Sequence, residues 1–444
     1  MKSLLTLKKN NSFFDFTVKI IISLFPIFFV SGPFLTDLFC TIIGLIFLYL
    51  IIREKKWEEL HLNYFFYYFI LIFLYLNLNS FFSFDKHISF SKSLPFIRIV
   101  LFIFALNFFL YRYKEIYRYF FYNFVIILSL LFLDALVQFF FNHNIFGFET
   151  VYGDRISSFF GDELIMGSYV SRILPIIIGI SFLVNNKYLN LINLILITIS
   201  GLLVYLSGER LATFYFITFI VFYLIFNKKY IVRFLIIFLG ISILTNIYNT
   251  ASFGRIFEYT IEQFKQTKSI TSYRHSLHYK TAYDMFEEKK LFGHGLKSFR
   301  YKCSEKKYED IISNKIEEDK LKFLEKHPKS NEVDLNFIIE YKNGCNTHPH
   351  NIYFEFLAEI GFIGFLLFGL IFIYTTIKLT IFSVQNIFKK TISKIDMSKN
   401  LILFGIFIQM FPLVPSGSFF NNYMLIIFFI SVGFYLSINR VKNE

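Results

Sequence analysis

Charge is scarce in this chain. Of its 444 residues only 17% are Asp, Glu, Lys or Arg, against about 25% in soluble globular proteins. That charge sits in short clusters, and the apolar runs between them are long enough to cross a bilayer, for which about 20 residues suffice. An ordinary soluble domain is excluded. Strand-length alternation is missing as well, because the apolar runs are continuous, and this excludes an outer-membrane barrel. Cysteine is sparse, with three in all; no C-x-x-C pair and no His/Cys set at zinc spacing occurs. The N-terminal stretch MKSLLTLKKNNSFFDFTVKIIISLFPIFFVSG has the basic flank and apolar core of a secretory signal. It lacks a small-x-small cleavage site and another apolar run follows at once, so it reads as an uncleaved first helix.

What is abundant is phenylalanine (65) and tyrosine (29), as a codon bias toward Phe, Ile, Asn and Lys would produce. The net charge of +13 points to the Lys/Arg excess of cytoplasmic loops rather than to nucleic acid. The fold class expected is an all-α integral membrane protein of about twelve transmembrane helices with one long periplasmic loop subdomain. The spans fall at 17–31, 33–52, 63–83, 93–111, 119–141, 164–184, 189–206, 211–226, 231–250, 351–381, 400–415 and 421–439. Loops at 53–60, 111–118, 227–233 and 388–399 and the C-terminal tail are rich in Lys and Arg, whereas 31–34, 84–92, 142–163, 207–210 and 415–422 carry few. By the positive-inside rule both termini are cytoplasmic and the second set faces outward. The chain divides into an N-terminal bundle of about nine helices (1–250), a loop subdomain (251–350) and about three C-terminal helices (351–444).

Residues 251–350 are far too long for a structureless connection. In YRHSLHYKTAYDMFEEKK, His278, Ala282, Met285 and Phe286 share one face of an amphipathic helix. A Gly-x-Gly turn follows in KKLFGHGLKSF, and the Lys/Glu-rich 304–326 reads as a further solvated helix. The segment is a surface subdomain or a lid over a substrate site. Cys303 and Cys345 both lie in it, where an oxidising compartment would pair them; Cys40 lies inside a span and reads as core.

Arg98, Asp134 and Arg172 stand within or at the ends of spans, where a charge faces the bundle interior or a wet cavity, or forms a structural ion pair. Arg155, Arg210 and Arg274 fall on the outward side, where the positive-inside rule leaves few. Guanidinium groups there suit phosphate oxygens, which they clasp with two parallel hydrogen bonds, and lipid headgroups are the other reading. The stretch NTHPHNIYFEFLAEIGFIG places Pro349 in the first turn of a helix, with Thr347 or His348 near its cap. His350 and Asn351 then stand at its outer end. Asn351, Glu355 and Glu359 form one stripe, and Gly361 and Gly364 would allow close helix contact.

The pattern His-Asn, nine residues, Gly-x-x-Gly, formed by His350, Asn351, Gly361 and Gly364, resembles the signature of the O-antigen ligase family. RISSFFGDELIMGSYV, LSGERLATF and RHSLHYKTAYDMFEEKKLFGHGLKSF are similar to further landmarks of the wider ligase and polymerase superfamily. The resemblance implies transfer of a glycan from undecaprenyl diphosphate to an acceptor hydroxyl at the periplasmic face of the inner membrane. In ligases the acceptor is lipid A–core, and in polymerases it is another lipid-linked repeat. Carried over by position, Arg210 and Arg274 bind the diphosphate and His350 is the essential histidine. Arg155, Asn351 and His348, on the same outward side, are expected as further substrate contacts. An activated diphosphate needs charge stabilisation and a base for the acceptor. No Asp-x-Asp pair occurs in the outward loops and EED at 317–319 reads as a solvated face, so a metal-independent, cofactor-free inverting transfer is expected. Phe365 and Leu366 stand where ligases often carry threonines, and Arg155 is one residue too far from Gly167 for the Arg-x10-Gly pattern of polymerases. Ligase and polymerase both stay open, with a lipid or glycan transporter as the reading from another class.

Overall fold

The computed structural model describes residues 12–61, 64–150, 155–184, 186–227, 252, 254–258, 260–261, 264–265, 273–308, 344–389 and 391–442. The expected span at 231–250, the helix and acidic run within 309–343, and EED at 317–319 lie outside them. The described residues are built from helices: α1 Ser12–Ser23, α2 Phe25–Val30, α3 Pro33–Glu54, α4 Tyr64–Phe81, α5 Lys86–Ser93, α6 Ile97–Arg112, α7 Glu115–Phe141, α8 Met166–Ser181, α9 Leu189–Ser207, α10 Arg210–Phe226, α11 Tyr273–Glu288, α12 Ile352–Asn386, α13 Lys394–Gln409 and α14 Asn422–Lys442. Seven are long and apolar enough to cross a membrane, α5 and α6 counting as one continuous rod, and α8 and α10 are shorter apolar helices.

Burial sorts these helices into inner and outer ones. Every residue of α8 but Ser168 is buried, and α6 and α14 are buried over most of their length, whereas α3, α7, α9 and α12 bury only the minority of theirs. Helix α8 can be short and carry Pro175 because protein encloses it: the face of α13 comes so close that a Cβ on Gly405 would lie 3.0 Å from the Pro175 ring and one on Gly179 would lie 2.7 Å from Ile402. The outer helices instead turn Phe34, Leu45, Leu74, Phe140 and Ile377 outward, which suits a hydrocarbon environment and would be costly in water. Much of the phenylalanine excess fills the interior, as at Phe25, Phe102, Phe104, Phe120 and Phe124.

Two spans are not the continuous helices expected. The first breaks between Ser23 and Phe25, because Pro26 enters the first turn of α2 without a backbone donor. The second break, inside α12, is larger. Gly361 has φ 65° and ψ −172°, which no helix contains, so 352–360 and 362–386 are separate helical pieces. The glycine pair is thus not a helix-packing motif: Gly361 is the break point, and a Cβ there would lie 2.4 Å from the carbonyl oxygen of Leu291. Helix 394–409 likewise begins and ends several residues before the span expected at 400–415.

The loops segregate to two ends. At one, Lys19 pairs with Glu115 at 2.6 Å, Arg112 with Glu54 at 3.5 Å, and Arg440 stacks on Tyr111. These come from the segments read as cytoplasmic. At the other end lie the segments read as outward, gathered around one cavity.

Candidate active site

A cavity of ≈ 1140 Å³ opens among the described residues. Each of the six segments read as outward contributes to it: Pro33, Lys92, Phe160, Glu209, Arg300 with His348, and Ser418. Its wall carries four permanent cations, Lys92, Arg172, Lys297 and Arg300, and the carboxylates Glu163 and Glu209. A recess at one end of a helix bundle, walled by both charged and apolar side chains, is where a lipid-borne polar substrate can be held.

The break at Gly361 anchors the turn that brings Lys297 to this cavity. A broken helix leaves backbone groups without partners, and in an apolar surrounding each costs several kcal/mol, on the order set by desolvation. The turn at 290–295 supplies the partners. Phe362 N–H donates to the Lys290 carbonyl at 2.8 Å, and the Ala358 and Glu359 carbonyls accept from His294 N–H and Gly295 N–H at 3.0 and 2.7 Å. The Tyr75 hydroxyl donates to the Ile360 carbonyl at 2.5 Å, and Asn79 donates to that of Phe292. Gly293 and Gly361 face each other so closely that a Cβ on Gly293 would stand 2.6 Å from the Gly361 nitrogen. The Gly-x-Gly turn and the Gly-x-x-Gly pair are therefore two halves of one joint.

Beyond the joint the chain turns sharply at Lys297, φ 62°. Glu359 holds this turn, its two oxygens accepting from Lys297 N–H at 2.8 Å and Phe299 N–H at 3.3 Å. The Lys297 ammonium then donates to Ser418 Oγ at 2.7 Å, and Ser418 donates to Glu355, whose other oxygen accepts from Phe419 N–H at 2.7 Å. The stripe Asn351–Glu355–Glu359 seen in the sequence thus faces protein, and each member ties a different loop. Asn351 is the helix cap: its side-chain oxygen accepts from Tyr353 and Phe354 N–H and its amide donates to the Pro412 carbonyl at 2.8 Å. Pro349 accordingly lies before the helix and not in its first turn.

The histidines meet here. His348 lines the cavity, and its ring centroid is 4.2 Å from that of His350. His350 sits at φ 57°, its carbonyl accepts from Ser416 N–H at 2.7 Å and its Nε2 is 3.1 Å from the Asn346 amide. Rings of His275 and His278, from α11, lie 5.4 and 5.2 Å from His350. Burial, then the neighbouring Lys297 charge, lowers the His348 pKa from 6.5 to about 4, so this imidazole is neutral at pH 7. Helix α11 is pinned beneath: His278, Ala282 and Met285 are buried as their spacing requires, His278 Nδ1 lies 2.7 Å from the Gly344 carbonyl, and Cys303 and Cys345 form a disulfide.

Arg155 and Arg210 flank the α9–α10 turn, where Arg155 Nε donates to the Ser207 carbonyl at 2.8 Å and both feel the charge of Arg255. Arg255 drew no attention in the sequence. The intervening Glu209 caps α8, accepting from Gly167 N–H at 2.8 Å and Ser168 Oγ at 2.6 Å. It thereby ties the turn that carries Arg210 to the cavity wall. Arg274 lies in the first turn of α11, and its side chain is outside the described residues. Arg98 forms the ion pair considered for it, at 2.8 Å from Asp37. Among the described residues Asp134 pairs with no cation; it accepts from Ile145 N–H at 2.9 Å and Ser158 Oγ at 2.6 Å. Arg172 donates to the Ser168 carbonyl at 3.1 Å and faces the cavity. Among the described residues no group of three or more His, Cys, Asp and Glu side chains is arranged to hold a metal ion.

Residues 194–369 match the family model described as O-antigen ligase, which bears out the resemblance drawn from His350, Asn351 and the glycine pair. The match runs from within α9 to just past the break in α12. It takes in Arg210, Arg274, Lys297, Arg300 and both histidines of the cavity end, and leaves out Lys92, Arg155 and Arg172. No curated protein matches the chain.

Proposed function

From the place of residues 194–369 in the O-antigen ligase family, which takes in ligases and polymerases, we propose that this chain is a membrane glycosyltransferase. It moves a glycan from a lipid-linked diphosphate to an acceptor hydroxyl within the cation-walled cavity. The observation that carries the reading is the convergence of the six segments read as outward on a cavity with Arg172, Lys297, Arg300 and His348 in its wall. A transporter would favour a polar site near mid-membrane between repeats, whereas these polar groups gather at one end of the bundle.

The chemistry follows from the groups present. The acceptor oxygen attacks the anomeric carbon, the bond from that carbon to the diphosphate oxygen breaks, and the diphosphate leaves with the electron pair. Arg155, Arg210 and Arg274 are assigned to the diphosphate, whose growing charge they stabilise more in the transition state than before it. The acceptor proton passes to His350, with His348 beside it on the cavity wall. The site faces the periplasm of the inner membrane, the acceptor is lipid A–core, and the donor lipid is undecaprenyl diphosphate, with no metal or cofactor needed. A reporter fused at Lys329 should be active only outside the cytoplasm. The glycolipids of a deletion strain test the reaction: polymer held on the lipid diphosphate with bare core marks a ligase, and single repeats capped on core mark a polymerase. An unchanged profile would refute both.

A further inference from the structure

This end of the bundle holds more cations than one diphosphate requires, and two groups can be told apart, one in the cavity wall and one at the α9–α10 turn beside it. Arg155 and Arg210 share the field of Arg255 at the α9–α10 turn. Lys92 instead feels Lys297, Arg300 and Arg98, and no residue belongs to both groups. Three elements build the second group: α5 carries Lys92, the strained turn held by Glu359 presents Lys297, and the short helix after it carries Arg300.

The nearby carboxylates act on this second group only at a distance: Glu355 and Glu359 share the field of Lys297, and Glu355 that of Arg300, without a direct ion pair. Glu359 is spent on backbone amides, Glu355 reaches Lys297 only through Ser418, and Asp37 is engaged by Arg98. Among the described residues neither Lys92 nor Arg300 has a carboxylate within ion-pair distance, and both side chains are exposed to the cavity. Holding like charges together without a directly paired counter-ion costs free energy, and a backbone strained at Lys297 to present one of them adds to that cost. Such an arrangement is stabilised when an anion binds. A recess of ≈ 130 Å³ shares Ser91, Lys92, Phe420 and Asn422 with the main cavity and runs toward Arg98, so the group also borders a lateral opening between α5–α6 and the start of α14.

We propose that Lys92, Lys297 and Arg300 form a second anion subsite, which takes a phosphate-class oxyanion carried by the acceptor and orients the attacking hydroxyl. The assignment to the acceptor rests on the transferase reading above, in which the first cation group takes the donor diphosphate. The existence of the subsite does not depend on that reading. Arg300 supplies the planar fork for two oxygens, and Lys92 and Lys297 act as point charges on the remainder.

Binding of inorganic pyrophosphate to the purified full-length protein in detergent micelles, followed by calorimetry, tests this without turnover. Wild type is expected to bind at two sites. The double variant Lys92→Ala/Arg300→Ala should weaken one of them at least 10-fold, and Lys92→Glu should do the same from a single exposed position that the fold does not need. Arg155→Ala/Arg210→Ala should leave that site intact. Unchanged binding in both Lys92 variants would overturn the subsite, as would loss of all binding in the Arg155/Arg210 variant, which would mean a single anion site. If wild type binds as described yet transfers no glycan, the functional reading falls and the subsite stands.

Discussion

The carboxylates of the Lys/Arg-rich end and those bordering the cavity are used in opposite ways, whereas away from the cavity wall Glu288 and Glu305 pair with Lys302 and Lys307 as at the first end. At the Lys/Arg-rich end, carboxylates neutralise cations side chain to side chain, as Glu115 does for Lys19 and Glu54 for Lys56 and Arg112. Around the cavity, Glu209 sits on the amides that start α8 and Glu359 on those of Lys297 and Phe299. The first arrangement satisfies topology and leaves a surface with little to offer a ligand. The second fixes loops with the carboxylates and leaves the cations facing an open space. Arg98–Asp37, at the flank of the cavity end, follows the first rule, and it marks where the cationic wall stops.

If that difference is functional, removing groups from the two ends must have unequal consequences. The largest is expected at His350: His350→Ala should lower transfer by roughly 10²–10⁴-fold, the usual worth of general-base help, with normal abundance in the membrane, while His348→Ala is milder. Initial rates with purified protein check this, and wild-type turnover by His350→Ala would make the residue a loop element only. Next comes the staple under the site. Opening the Cys303–Cys345 bridge, which spans 42 residues, should remove about 4 kcal/mol of stability on the chain-entropy account, read as a fall in the midpoint of unfolding on reduction. Glu359→Ala leaves two amide donors unpaired in the interior and should cost about 1–3 kcal/mol for each. The half-exposed Glu115→Gln at the other end should cost less than about 1 kcal/mol. Equal losses in thermal unfolding would erase the contrast between the ends.

Acid sharpens the comparison through two histidines. Burial, ahead of the nearby Lys302 charge and against the Met285 carbonyl, lowers His294 from 6.5 to about 4, as burial and Lys297 do for His348. Between these values the unfolded chain binds more protons than the folded one, so stability is complete above about 6.5 and falls as pH drops toward 4. The unfolding midpoint should decline over that window, and His294→Gln should flatten the decline. A midpoint constant from pH 7 to 5 would show that neither ring is held neutral.

Much of the architecture was legible because bilayer thickness imposes a length on apolar runs and the Lys/Arg bias labels their ends. The helix at 273–288 and the pairing of Cys303 with Cys345 were legible for the same kind of reason, namely a period and a compartment. Lys297 was not: its place depends on a backbone turn with positive φ, held by a glutamate 62 residues away in the chain. The break at Gly361 was misread as a packing motif, because Gly-x-x-Gly within an apolar run has both uses. Only the partner turn at 290–295, which accepts the freed amides, separates them. Arg172 differs from Arg98 in the same way, since their local sequences look alike and only the presence of Asp37 beside Arg98 decides which is paired.

The central claim is that the glycan is transferred in the cavity at the carboxylate-capped end. A lipid-linked diphosphate donor with a photoactivatable group on its first sugar, bound to the full-length protein and irradiated, tests it directly. The account predicts labelled peptides from 155–172, 294–302, 344–351 and 415–424, with labelling competed by unmodified donor. Labelling confined to 53–60, 111–118 and 388–399 at the opposite end would contradict it.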